Sequence, residues 1–434
     1  MILDGVRVLE LSIAWAGPLA GRFLADLGAE VIKVEHPTAR GAGIVGAGGY
    51  RVAEDLSGWV WGTLPGPVFR PGVYPDADPG EQPWNRQGLY NKMNRNKKSL
   101  CIDLKTPGGR EVFDRLVAKS DVVLNNYSPR GVRSLGIDYD SLSAINPEII
   151  AVSLSGYGST GPDQERVSWG PMLEAHSGMA ATTGYPDRGP IKMGAAMPDP
   201  IGGTHCAFAV LAALSERDRT GHGLFLDISQ LETYASIGGE LFLTASVTGA
   251  APARNGNRSL QFAPQGVYPC AGDDAWIAIT VADDDEWTRL ASLIDVEAVR
   301  RPALRSVAAR FECHDQLDDT IAAWTRHRDK FELMHLLQGA GVTACASFSN
   351  GDLVHDAHLR ERGFMVEWDQ PHVGPRLYPG FPIHFSRTPP LPMRPTPPLG
   401  QDNRTLLADL LGMSEATIDA LEQDGVLADR PPET

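Results

Sequence analysis

The sequence predicts an α/β protein whose larger part is an open, mostly parallel sheet with helices on both faces, followed by a smaller α+β domain. Three observations predict it. Short β-branched runs alternate with helical stripes as far as Leu154, the strands are spaced for helical crossovers, and the texture turns hairpin-like beyond residue 250.

Taken in order, Val6–Ser12 alternates as a strand, and Leu19, Phe23, Leu24 and Leu27 fall on one helical face that Gly28 ends. Val31–Glu35 is a second strand, rich in β-branched residues. Ser99–Asp103 is a third, after which Thr106 is an N-cap with Pro107 at the first helical position. Val112, Phe113, Leu116 and Val117 form that helix's apolar stripe, and Asp121–Leu124 and Glu148–Leu154 are further strands. Residues 37–90, rich in Gly, Pro and Trp, read as a long irregular cover or partner contact. Beyond residue 250, Gly266–Cys270 and Ala275–Thr280 read as a hairpin, helices follow near 284–295 and 315–340, and Gly363–Trp368 is strand-like. The six prolines between Pro389 and Pro398 read as a stiff linker, and the amphipathic stretch Asn403–Leu427 returns to pack elsewhere. The domain reading is 1–230 for the large domain, 231–256 for a linker helix, 257–388 for the small domain, and 389–434 for the linker and C-terminal helices.

The 434 residues carry 39 Lys and Arg against 54 Asp and Glu, a net charge of −15, which argues against a nucleic-acid partner. A local basic cluster can still hold an anion. The five scattered cysteines form no CxxC and fit reduced thiols in the cytoplasm better than a disulfide framework or a zinc site. The most apolar stretch, Cys206–Leu214, is far short of the ~20 residues that cross a membrane, and Met1–Gly5 starts no signal peptide, so no membrane association is expected. The eleven histidines include no HExxH pair, and no metal is expected.

Gly41-Ala-Gly43-Ile-Val-Gly46 matches a dinucleotide fingerprint. The strand ends near Glu35, however, and no apolar helix follows, so the mechanism of that fingerprint is missing. Ser153-Leu-Ser-Gly156 is not a nucleophile elbow. His176 reads as a hydrogen-bonded structural histidine ahead of an acid–base group. Arg95, Lys97 and Lys98 form a basic cluster that is either a solvated turn or a phosphate-steering patch. Asp199 lies between Pro198 and Pro200, which push it toward an extended conformation just before an apolar helix from about Thr204 to Leu214 that must be buried. It is either a cap or, with the glycines at 202 and 203 leaving room for a ligand, a carboxylate nucleophile.

Asp4-Gly-Val-Arg-Val-Leu, Ala16-Gly-Pro18, Leu27–Glu35, Asn96-Lys-Lys-Ser-Leu, Asp121–Tyr127, Ser155-Gly-Tyr-Gly, Gly161-Pro162 and Ser177-Gly178 occur in order, with Arg219–Gly223, Arg254–Asn257 and Pro398–Asn403 after them. Over nearly the whole chain these runs resemble the family III CoA-transferases, of the formyl-CoA and carnitine CoA-transferase type. The resemblance implies a Rossmann-like large domain, a smaller second domain, and two subunits threaded as interlocked rings, a homodimer or else a heterodimer. It implies transfer of coenzyme A between an acyl-CoA and a small carboxylic acid through an aspartyl anhydride, with acyl-CoA as cosubstrate and no permanently bound cofactor. Gly194–Asp199 and Gly203-Thr-His put the nucleophile at Asp199. The same resemblance puts coenzyme contacts at Ala16, Asn126, Tyr127 and Arg133, to which the basic cluster adds Lys97, and the substrate pocket near Trp15, Gly170 and Glu174. Trp15 and His36 replace a polar and a basic residue of relatives, and Arg254–Gln261 is no obvious glycine-rich flap. Racemases of a cousin branch carry an acid where this chain has Gly170, which favours transfer over epimerisation unless Glu174 substitutes. A catalytically silent CoA-binding subunit is the alternative from another class.

Overall fold

The computed structural model describes residues 1–38, 74–78, 80–388 and 392–432. The Gly41–Gly46 motif, most of the 37–90 segment and the start of the proline run lie outside them. The chain divides into two compact units, one of Met1–Met179, Met193–Glu240 and Arg360–Thr434, the other of Ala180–Lys192 and Leu241–Leu359.

The first unit holds a six-stranded sheet of β1 (Arg7–Leu11), β2 (Glu30–Glu35), β3 (Lys98–Cys101), β4 (Val122–Asn125), β5 (Ile150–Ser155) and β6 (Leu224–Ser229), in the order β3-β2-β1-β4-β5-β6. Every pairing is parallel. This is the predicted α/β class, with the strand order reversing between β1 and β4. Alternation along the strands separates two cores. Leu9, Leu11, Ile32, Val34 and Val123 face Val112, Phe113 and Leu116, whereas Val8, Val31, Val122, Leu124 and Val152 face Ala20, Leu24, Cys206 and Val210. The predicted N-cap is in place, with Thr106 Oγ1 accepting from Gly109 N–H at 3.1 Å ahead of the helix Pro107–Val117. The edge of β3 is covered by the chain's end. Ser99 and Cys101 N–H donate to the side chains of Asp402 and Asn403, both at 2.8 Å, and Leu406, Leu407, Leu411 and Ile418 join the first core.

In the basic cluster Arg95 and Lys97 are buried in ion pairs rather than solvated or at the surface, and only Lys98 stays partly exposed. Lys97 Nζ lies 2.6 Å from Glu10, both side chains fully buried, and Lys33 Nζ approaches the same carboxylate at 2.9 Å. Gly21 admits Glu10, since a Cβ there would stand 1.8 Å from Oε2. Arg95 is buried against Asp26 at 2.6 Å, and Lys98 pairs with Glu30 at 2.6 Å. Their acidic partners come from β1, β2 and the helix α1 (Ala16–Asp26), far away in sequence.

The Asp199 helix also differs from its expectation. It runs Pro198–Thr220, so Asp199 is helical rather than extended. Prolines in a first turn forfeit no intrahelical bond, because those N–H groups have no partner there, and this outweighs the bias on a residue before proline. Nor is the helix buried all round. Cys206, Val210 and Leu214 face the core, while Phe208 is 70% exposed.

The second unit pairs the predicted hairpin, β7 (Gln265–Pro269) and β8 (Trp276–Thr280), with β9 (Thr343–Ala346). The helices Asp284–Ile294, His314–Thr325 and Lys330–Gly339 cover this sheet through Trp287, Leu290, Ile321, Leu333 and Leu337. The strand expected at Gly363–Trp368 is β10 (Met365–Gln370), paired antiparallel with β11 (Gly374–Pro379) in the first unit. Among the described residues no helix is long and apolar enough to cross a membrane.

Candidate active site

The reversal of strand order between β1 and β4 opens a crevice at the strands' carboxyl ends, where open α/β sheets hold ligands. Asn126, just past β4, stitches its rim. Ile13 N–H donates to Asn126 Oδ1 at 2.8 Å, and Asn126 Nδ2 returns a bond to Ile13 O at 2.9 Å. Ala14 takes a left-handed φ of 59°, a local cost of about 1 kcal/mol that a residue at a functional rim often carries. Gly17 allows the close approach, because a Cβ there would lie 2.5 Å from Ser12 and 3.0 Å from Asn126.

Two cavities share Ile13, Ala14 and Tyr127. The smaller, about 50 Å³, is lined by Lys33, Glu35, His36 and Tyr90 among others. The larger, about 540 Å³, runs past Asn126, Ser128 and Pro129 to Ser155, Gly156, Trp169, Gly170, Gln230 and Asp199, with Lys105 and Arg166 also in its wall.

Asp199 is held in the first turn of its helix and accepts a hydrogen bond from Ala16 N–H at the start of α1, so two helix N-termini converge on it. The helices can approach this closely because Gly203 lies against α1, where a Cβ would stand 2.6 Å from Ala16 O. Burial pushes the Asp199 carboxyl up to about 6, the Ala16 bond opposes the rise, and the nearby Glu174 charge adds to it. Gly170 packs directly on the carboxylate, since a Cβ there would sit 2.1 Å from Asp199 Oδ2 and 2.7 Å from Ala196 Cβ. The space an acidic side chain would need at position 170 is therefore filled by the Asp199 oxygen. Glu174, 1% exposed, anchors the turn before the Asp199 helix through Met197 N–H at 3.0 Å and does not line the cavity.

Of the other expected contacts, Tyr127 lines both cavities, and burial, with Glu35 and Glu10 adding, pushes its phenol up to about 12, so it stays a donor. Arg133 is exposed and paired with Glu165, outside both linings, although Gly131, Ser134 and Leu135 belong to the larger one. Lys97 and Trp15 also lie outside both linings, Trp15 under the Lys92 ammonium at 5.5 Å. His36 bonds Thr38 through Nδ1 at 2.9 Å. His176 contacts Tyr157 Oη at 3.2 Å, its ring tilted 57° from that of Tyr157 with centroids 5.4 Å apart, in keeping with the structural reading. The Arg254–Gln261 loop belongs to the second unit, tied by Arg254 to Ala181 O at 3.0 Å and by Arg258 to Asp315 and Asp318 at 2.6 Å each. Sequence reasoning missed Lys105, Arg166 and Gln230, and passed over Ser155, because no local pattern marks a residue that only the sheet's strand order brings to the crevice.

Comparison with known proteins agrees with this architecture. The chain matches the family described as CoA-transferase family III over residues 3–61 and 68–403. It is 33% identical to the succinyl-CoA–D-citramalate CoA-transferase of Chloroflexus aurantiacus, covering 98% of both chains. With the succinate–glutarate CoA-transferase of Agrobacterium fabrum it shares 31% identity over 94% of this chain and 95% of that one. The crystal structure of a CaiB/BaiF family protein from Brucella suis superposes with a TM-score of 0.79 at 30% identity, covering 94% of this chain and 99% of the other.

Proposed function

Because the chain belongs to CoA-transferase family III, we propose that it moves coenzyme A between short dicarboxylic acids, with Asp199 as the transiently acylated group. The observation that carries this reading is a half-desolvated carboxylate, fixed by Ala16 N–H and lining a cavity large enough for a thioester arm. The Asp199 carboxylate attacks the donor's thioester carbonyl, and the C–S pair leaves with the CoA thiolate, giving a mixed anhydride. Thiolate then attacks the aspartyl carbonyl and releases the first acid. The incoming carboxylate displaces CoA from the aspartyl thioester to form a second anhydride, and the thiolate closes the cycle at the new acyl carbon. No step spends the thioester's energy so long as water is excluded. Lys105 and Arg166, in the same cavity wall, suit the coenzyme's phosphates.

The acid names of the two relatives support short dicarboxylates as donor and acceptor. The Asp199 oxygen against Gly170 speaks against an epimerase with its base at that position. Free cysteines are in keeping with action in the cytoplasm. A homodimer is supported by Phe208 in the first unit, 70% exposed, and by Leu243 and Val247 in the second, 65% and 76% exposed on the helix Gly239–Thr248, which buries none of its residues.

The test is incubation with succinyl-CoA, quenching with hydroxylamine, and mass spectrometry of the peptide carrying Asp199. The expected result is a hydroxamate on that residue, and its absence during active turnover overturns the assignment. The yield of trapped adduct should fall as pH drops through about 6, because burial raises the carboxyl and only its ionised form attacks. Glu174→Gln removes the like charge that helps raise it, so the acid limb should move to lower pH. A limb that stays in place would detach Glu174 from the reaction.

A further inference from the structure

The backbone between β1 and α1 leads to the Ala16 N–H that Asp199 accepts, and little in its own sequence fixes its course. Ala14 stands at a φ of 59°, and the Trp15 side chain at the helix start caps no N–H. Asn126 grips the segment at Ile13. Two buried lysines grip its ends. Lys33 Nζ donates to Ser12 O and Lys97 Nζ to Pro18 O, each at 2.9 Å. One carboxylate aims both, with Glu10 Oε1 2.9 Å from Lys33 Nζ and Oε2 2.6 Å from Lys97 Nζ. Ser12 Oγ also donates to Glu10 Oε1 at 2.5 Å, and Lys97 Nζ to Asn94 Oδ1 at 2.9 Å. Arg22 adds a further like charge beside Lys97. Apolar residues of similar volume often stabilise an interior as well as buried charges do, so packing alone gives no reason for these three. What apolar residues cannot do is hold two backbone carbonyls.

We propose that Lys33 and Lys97, aimed by Glu10, are positioning residues for the transfer reaction: they clamp the two ends of segment 12–18 and so hold Ala16 N–H on the Asp199 carboxylate. This rests on the transferase reading above. Neither lysine lines the cavity that holds Asp199, so their effect passes through the backbone. The Ala16 bond favours the ionised carboxylate, which is the form that attacks, while burial and the Glu174 charge oppose ionisation. Freeing one end of the segment lets Ala16 N–H drift away from the carboxylate. The carboxyl then rises further above its ordinary value, and the attacking form appears only at higher pH.

The test reads the initial rate of Asp199 adduct formation against pH, at saturating succinyl-CoA, with the hydroxylamine quench at one fixed pH. Lys97→Met frees Pro18 O and leaves Glu10 paired with Lys33. Lys97→Met combined with Glu10→Gln frees it too, but removes one charge of each sign. Each profile is scaled to its own plateau, over the pH range where circular dichroism shows folded chain. Lost protein then lowers the plateau without moving the limb. The acid limb of the unaltered chain should fall near 6, and in both variants it should move up by about one pH unit. Lost charge alone would move it in the first variant and not in the second. A limb that fails to move up in either variant overturns the positioning role and leaves the transferase intact. No adduct in the unaltered chain overturns the transferase reading, and the positioning role with it.

Discussion

Asp199→Asn is expected to lower CoA transfer by about 10⁴-fold or more, measured as kcat for any donor and acceptor that the unaltered protein uses. The amide is isosteric and still presents an oxygen to Ala16 N–H, so the convergence of the two helix starts survives. What disappears is a nucleophile able to form an anhydride, and with it the hydroxylamine-trapped mass. Acyl-CoA affinity should change little, which separates lost chemistry from a lost fold. Stability should move the other way. The Asp199 carboxyl lies near 6 in the folded chain against an ordinary 3.8, so its contribution is full below about 4 and is lost as pH rises through 6. The asparagine variant escapes that loss and should be more stable at pH 8 by on the order of 2–3 kcal/mol, with the difference vanishing below about pH 4. Undiminished turnover in this variant would defeat the proposed mechanism.

Glu10→Gln should cost about 3–5 kcal/mol of stability, read from urea unfolding, because it strands Lys33 and Lys97 in the interior without their counter-charge. In the intact cluster, burial works to raise the Glu10 carboxyl, but the two ammonium groups, with hydrogen bonds from Lys97 and Ser12, hold it below its usual range. Burial pulls Lys97 down to about 7 even with Glu10 present. Without Glu10 the folded chain releases that proton more readily still, while the unfolded chain keeps it to about 10.5. The unfolded state then binds more protons, so stability rises with pH. The intact chain loses the same proton near 7, so the deficit should be largest in mild acid, shrink as pH rises toward 7, and level off above it. A deficit independent of pH would mean that packing, not charge, is what the substitution disturbs.

The sequence made the sheet legible where strands are buried on both faces, because such strands read as continuous apolar runs. β4 and β5 are of this kind, whereas β1 and β2, with Glu10 and Lys33 inside them, are legible from alternation and β-branched residues. β6 escaped because its residues alternate between half-buried and exposed positions, a weaker signal directly after a glycine-rich turn. Asp199 was legible as a motif, but its helical setting was not, since a proline on either side argues for extension until the first turn's indifference to missing donors is considered. Lys97 looked like a surface charge because its partner Glu10 is local only in three dimensions. Gly170 could be seen as a departure from an acidic pattern, and only the Asp199 oxygen beside it supplies the reason.

The bond from Ala16 to Asp199 has a consequence for biosynthesis. The amide that orients the carboxylate is translated early, the carboxylate much later, and β6 and Gln230 later again. A ribosome-bound chain thus carries Asp199 as an ordinary acidic side chain, and the capacity to be acylated arises only when the finished sheet draws these distant segments together.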